Sequence, residues 1–174
     1  MNKKYYLKFW FHFPKKSLVT SRYTTIYDIS ISNSLVFLDI DDTLCGDKDI
    51  VSQKSISWLT KLKKNRNKVI LLSNCGKNRE DELRDRLKLC TDKIITKSDK
   101  PNPKMFKESI KRYPAFRNTY MIGDRVATDL YGAYLGGIMN RILVKPYSTV
   151  FKSPKASYIY RFSRYLENWF SMYT

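Results

Sequence analysis

The sequence predicts an α/β fold, a three-layer sandwich in which a central, mostly parallel sheet carries helices on both faces. Three observations predict it. From Ser34 onward, short apolar runs alternate with amphipathic segments, the pattern of strand and helix units that build a parallel sheet. The segment joining the first two runs has Ile56, Leu59 and Leu62 at helical spacing, with Lys61, Lys63 and Lys64 mostly on the other side, so it reads as a crossover helix. Polar side chains recur where the apolar runs end: Asp39 and Asp41, Ser73 and Asn74, Asp124 after Gly123. Open parallel sheets hold their ligands at those carboxyl ends.

The elements follow in order. Strands are predicted at Leu35 to Asp39, Val69 to Ser73, Lys93 to Thr96, Thr119 to Gly123 and Asn140 to Val144. Asn78 precedes Glu80, Asp81 and Glu82, an N-cap followed by first-turn acids, and opens a helix carrying Leu83 and Leu87. A further helix follows Pro103, and another runs from about Thr128 until Gly136 and Gly137 stop it. Three segments result: a basic, aromatic N-terminal extension over 1–33 that packs on or beside the core, a core over 34–150, and a C-terminal amphipathic helix over 151–174.

The 174 residues suit a single domain, and 43% hydrophobic residues supply its core. Against 16 Asp and Glu stand 33 Lys and Arg, for a formal net charge of +17. Such a surface attracts anionic partners: nucleic acid, an acidic membrane, or phosphorylated substrates. Cys45, Cys75 and Cys90 lack the spacing of a disulfide framework or a zinc site. No apolar stretch approaches the roughly 20 residues that span a bilayer, and Pro14-Lys15-Lys16 stands where a secretory signal has its small-residue cleavage site. At each end an aromatic stripe has helical spacing: Tyr6, Phe9, Trp10 and Phe13, then Ile159, Phe162, Leu166, Trp169 and Tyr173. Each stripe either docks on the sheet or lies in a membrane interface beside basic side chains.

"VFLDIDDTLC", "VILLSN", "DKPNPKMF" and "YMIGDRVATD" follow one another in this order. The succession resembles the haloacid-dehalogenase (HAD) superfamily of aspartate-dependent phosphatases. More narrowly it is similar to the class IIIA branch containing the YqeG family and the phosphatidylglycerophosphate phosphatases. That closer resemblance rests on the short intervals between motifs, "GAYLGG", "ILVKP" and the tail "YRFSRYLENWF". It implies a HAD-type, Rossmann-like core. Asp42, Cys75 and Arg125 stand where the closer family often has Asn, Asn and Gln.

The resemblance assigns roles that the chemistry of phosphate transfer also demands. Asp39 is the expected nucleophile, forming an aspartyl-phosphate, and Asp41 the expected general acid and base. Two like unit charges repel by about 4 kcal/mol at 4 Å and an effective dielectric near 20, so a carboxylate meeting a phosphate dianion needs cations. Mg²⁺ is the expected cofactor, held by the Asp39 carboxylate, the Asp41 backbone carbonyl and Asp124, because this ion prefers oxygen ligands. Lys100, Ser73 and Asn74 are expected to bind the phosphate, with Thr43 and Asp129 in support. Asp129 is expected to orient Lys100 or a metal-bound water.

HAD enzymes usually select substrates with a cap domain. Only about thirty residues separate Asp39 from Ser73, which a turn and one helix consume, and fewer separate Ser73 from Lys100, so no cap domain is expected. An open site suits a phosphate borne on something large. A phosphorylated lipid, phosphatidylglycerophosphate, at an anionic membrane surface is the leading substrate. A nucleic-acid end or a phosphoprotein is the alternative, and a non-catalytic binding module is the third class. The retained set Asp39, Asp41, Lys100 and Asp124 argues against a mere module. Cytoplasmic placement with peripheral membrane contact is expected, the mitochondrial matrix face being the alternative.

Overall fold

The computed structural model describes residues 18–46, 49–74 and 77–150, together with Phe9, Tyr165, Leu166 and Trp169. Tyr6, Trp10, His12, Phe13, Cys75 and most of the C-terminal stripe lie outside them. Six strands form one sheet: β1 (Ser21–Tyr23), β2 (Ser34–Asp39), β3 (Lys68–Leu72), β4 (Lys93–Ile95), β5 (Asn118–Gly123) and β6 (Asn140–Val144). Their order is β1-β6-β5-β2-β3-β4, and every pairing is parallel. The helices are α1 (Gln53–Lys64), α2 (Lys77–Leu87), α3 (Lys104–Arg112), α4 (Tyr131–Leu135) and α5 (Tyr147–Val150), with a π-helical turn at Val126–Leu130 leading into α4.

The first strand of the sheet's order, β1, lies in the segment read from sequence as an extension. Three residues with no apolar run give no strand signal; pairing of Ser21, Arg22 and Tyr23 with Ile142, Leu143 and Val144 makes them one. Neighbouring residues join the core with them, since Leu18, Ile26, Ile29 and Ile31 are all buried. Helix α2 begins at Lys77, one residue before Asn78, which therefore sits inside the first turn rather than capping it. Helix α1 is capped by Ser52, whose hydroxyl accepts from Ser55 N at 3.1 Å.

Strand β2 is buried along its whole length, as a strand covered on both faces must be. Successive side chains point to opposite faces. Val36 and Leu38 join Val69, Leu71, Ile122 and Ile142 under Trp58, Leu59 and Leu62 of α1 and Leu83 and Leu87 of α2. Leu35 and Phe37 join Ile70, Leu72 and Met121 under Phe106 of α3 and Leu130, Tyr131 and Ala133 around α4. The Phe37 and Phe106 rings meet edge to face, with centroids 5.0 Å apart. Phe9 packs on that second face, its ring 5.3 Å from Tyr131. The layers are thus helix, sheet, helix, and among the described residues neither connection that could hold a cap domain does so.

From β2 the chain moves outward through β3 and β4 on one side, then returns to place β5 and β6 on the other. The crevice at such a reversal of strand order is where an open α/β sheet takes ligands. Here it lies between the carboxyl ends of β2 and β5, where Asp39 and Asp124 stand.

A buried asparagine fixes where β2 begins. Asn67 Oδ1 accepts from Ser34 N at 3.0 Å, and its amide donates to Ile31 O and Leu62 O, both at 2.7 Å. Asn67→Ala strips a partner from three backbone groups, of which Ile31 O keeps only the 3.4 Å bond from Asn65, and each buried group left unsatisfied costs about 1–3 kcal/mol. The expected loss is roughly 2–4 kcal/mol, read from the urea midpoint. The half-buried Asn65→Ala, which loses one 3.4 Å bond to Ile31 O, should cost under about 1 kcal/mol. Equal losses in the two variants would contradict this account.

Candidate active site

Alternation along β2 places Asp39 on the same face as Leu35 and Phe37, the side covered by α3 and α4. Lys100 reaches it from the loop ahead of α3. The Lys100 ammonium, 3% exposed, binds Asp39 Oδ1 and, at 2.8 Å, Asp129 Oδ1. Asp124 completes the group: carboxylate oxygens of Asp39, Asp124 and Asp129 all lie within 4.8 Å of one another, and all three residues are buried.

Each side chain is held in place by its own local structure. The π-helical turn gives Asp129 its position after β5, and its Oδ2 accepts from Arg125 N at 3.1 Å. Single π turns inside helices are frequent at functional sites. Gly123 leaves the room for Asp129, because a Cβ there would stand 2.4 Å from Asp129 Oδ2. Gly132 does the same for the lysine loop, since a Cβ there would stand 2.9 Å from Pro101 Cα. Thr43 donates to Asp124 Oδ1 at 3.2 Å. Asp41 Oδ2 accepts from the buried Ser73 hydroxyl at 2.9 Å.

The eight residues singled out in the sequence thus converge on one end of the sheet, but with a different division of contacts. Asp129 joins the carboxylate cluster directly as well as holding Lys100. The Asp41 side chain turns to Ser73 rather than into that cluster. Asn74 is exposed, and its carbonyl oxygen accepts from Ser98 Oγ at 2.9 Å and Lys100 N at 3.2 Å, so it shapes the lysine loop. Ser98 was not legible beforehand, because a serine in a polar loop has no periodicity to mark it. Arg79 of α2 was missed for the same reason. It donates to Glu82, at 2.9 and 3.0 Å, and to Asp49 O, tying the segment after the site turn to α2.

Electrostatics follow from the crowding. Burial holds the Asp39 carboxyl well above the usual carboxylate range, with Asp129 and Asp124 adding to the rise and Lys100 opposing it. Burial pulls the Lys100 ammonium down, but Asp129 and Asp39 outweigh it and leave its pKa raised. Cys45, one turn away, is pushed up to about 12 by burial and then by Asp41, so its thiol is protonated and inert at neutral pH. Three clustered carboxylates, two of them bound to one ammonium, are an oxygen-rich donor set that fits a divalent cation with hard-ligand preference.

Residues 98–149 match the family model described as HAD-hydrolase-like. That stretch carries Lys100, Asp124 and Asp129. Taken with the buried carboxylate cluster, the match supports a hydrolytic enzyme. Among solved structures, the chain is similar to the core domain of a protein from Streptococcus pneumoniae TIGR4 provisionally assigned as a phosphoglycolate phosphatase. The two are 17% identical, the match covers 70% of this chain and 95% of that one, and the TM-score is 0.49. No curated protein matches the chain.

The raised Asp39 pKa has a sign. A carboxyl whose folded pKa exceeds its unfolded value of about 4 stabilises the fold at low pH, and that contribution is lost as pH rises through the folded pKa. Metal-free protein should therefore lose thermal stability as pH rises above about 4. Asp124→Asn removes one of the like charges and keeps an acceptor for Thr43, so its decline should be shallower. Thermal melts in chelator at a series of pH values above about 4 make the comparison, and parallel slopes would count against the charge crowding.

Proposed function

We propose that this chain is a Mg²⁺-dependent phosphomonoester hydrolase that works through an aspartyl-phosphate, with phosphatidylglycerophosphate at an anionic membrane surface as its substrate. The observation that carries the reading is a buried Asp39 bound to Lys100 inside a three-carboxylate cluster, with Asp41 two residues on and hydrogen-bonded to Ser73.

Asp39 supplies the carboxylate oxygen that bonds to phosphorus as the bond from phosphorus to the leaving oxygen breaks. Asp41 gives its proton to that oxygen. Water then attacks phosphorus, Asp41 takes the water's proton, and the bond to Asp39 breaks to release phosphate. Proton help of this kind contributes on the order of a hundred- to ten-thousand-fold. Lys100 keeps Asp39 aimed and offsets phosphate charge, while the Ser73 hydroxyl, which donates to Asp41 in the free site, would turn its one proton to a phosphate oxygen. Asp39 and Asp124 would hold Mg²⁺, with Asp129 behind them. The ion, when bound, neutralises charge that would otherwise repel the phosphate.

The lipid is favoured by the open site and by the basic surface. A Lys or Arg near an anionic bilayer contributes roughly 1 kcal/mol. The sequence resemblance to phosphatidylglycerophosphate phosphatases points the same way. Among the described residues no helix is long and apolar enough to cross a membrane, so contact through the surface is the mode proposed.

Purified protein with Mg²⁺ should release phosphate from an aryl phosphate. Asp39→Asn should lower the rate by a thousandfold or more while the fold persists, and full activity in that variant would sink the mechanism. Phosphatidylglycerophosphate in anionic vesicles should be turned over at least tenfold faster than phosphorylated oligonucleotide ends. The reverse preference would transfer the proposal to nucleic acid.

A further inference from the structure

The turn after β2 sends three consecutive side chains to three different elements. Asp41 goes to Ser73 at the end of β3, and Thr43 to Asp124 at the end of β5. Asp42, between them, reaches the start of α5: its Oδ1 accepts from Ser148 N at 3.0 Å, and its own carbonyl accepts from Tyr147 N at 2.7 Å. Tyr147 is held in turn, with its hydroxyl bonded to Ser52 and Tyr27.

A turn by itself does not require this. Asp42 has a φ of 60°, which glycine adopts at no cost and Asp or Asn tolerates. Turn residues of that kind are ordinarily solvated, whereas the Asp42 side chain is fully buried and bonds to an amide 106 residues away. Burying a carboxylate is costly unless its hydrogen bonds are made, so the contact with Ser148 is one the fold has to keep.

We propose that Asp42 is a positioning residue: it pins the turn to the main chain of Tyr147 and Ser148 and so fixes the directions of Asp41 and Thr43 on either side of it. This rests on the phosphatase reading, because its consequence is catalytic. Asp41 must stand within hydrogen-bond reach of the leaving oxygen, and a misplacement of about 1 Å can cost roughly a hundredfold in rate. Thr43 orients Asp124 through the same turn. Asp42 itself need never touch phosphate.

Three variants of the full-length protein separate anchor from turn. Asp42→Asn keeps both the backbone angle and the side-chain acceptor, Asp42→Gly keeps the angle and the main-chain bond from Tyr147 N but loses the side-chain acceptor, and Ser148→Pro removes the donor from the other side. Kinetics on an aryl phosphate with Mg²⁺, per mole of folded protein, are read beside hydrogen exchange at the amides of Tyr147 and Ser148. Asp42→Asn should stay within about threefold of the parent. Asp42→Gly and Ser148→Pro should each lower kcat tenfold or more, leave KM within about twofold, and lose protection at the Ser148 amide where it remains. A merely structural role would lower melting temperature and folded yield without moving kcat per folded molecule. Parental kcat in Asp42→Gly, or in Ser148→Pro if the glycine variant does not fold, overturns the proposal. A parent that turns over nothing while its Ser148 amide is protected overturns the phosphatase reading itself, leaving Asp42 an anchor with nothing to position.

Discussion

The structure depends on one buried cation. Lys100 sits 3% exposed between Asp39 and Asp129, with Asp124 close by. Taking an ammonium out of water costs several kcal/mol unless close carboxylates and hydrogen bonds compensate. The lysine and the carboxylates that compensate it come from three separate places in the chain: Lys100 from the loop ahead of α3, Asp39 from the end of β2, and Asp129 from the π-helical turn after β5. The requirement that they meet determines how the loops at that end of the sheet must run. It also leaves three carboxylates close to one ammonium, a donor set that could hold a metal ion.

The support beneath that cluster is an ordinary apolar one. Strand β2 is covered on both faces, and its two sets of side chains belong to two different helix layers. Asp39 inherits its direction from this packing. A one-residue slip of β2 would turn the carboxylate to the other face, away from Lys100 and Asp129. Asn67, which fixes the strand's first residue through Ser34 N, is therefore linked to the chemistry through five residues of strand. Small residues do comparable work at the other elements, where Gly123 and Gly132 allow backbone and carboxylate to approach more closely than any side chain would permit.

An uncapped cluster of this kind divides the tasks of binding and catalysis. Under the proposed function the convergent carboxylates and lysine recognise phosphate and carry its transfer, while among the described residues no cap domain stands over them to recognise what the phosphate is attached to. Under the proposed function, that part falls to surface charge. The chain's excess of 33 Lys and Arg over 16 acids gives a field that acts over roughly a Debye length, about 8 Å at physiological salt. Such a field concentrates anionic surfaces without shaping a pocket for any one headgroup.

Strands β2, β3, β5 and β6, the helical spacing of α1 and the residues at the strand ends were all determined by the sequence itself, because periodicity and burial are written into neighbouring residues. Asp39, Asp41, Ser73, Lys100 and Asp124 were legible for that reason, each standing where an apolar run stops or a helix begins. Tertiary structure decided what depends on partners far away in the chain. Strand β1 exists because β6 offers it an edge more than a hundred residues later. Asp129 joins the carboxylates because a π-helical turn brings it round, Asn74 and Ser98 matter through the bonds they make to the lysine loop, and Asp42 is buried because Ser148 receives it. A hydrogen bond between distant segments leaves no period in the local sequence, so these assignments came only when the chain was folded.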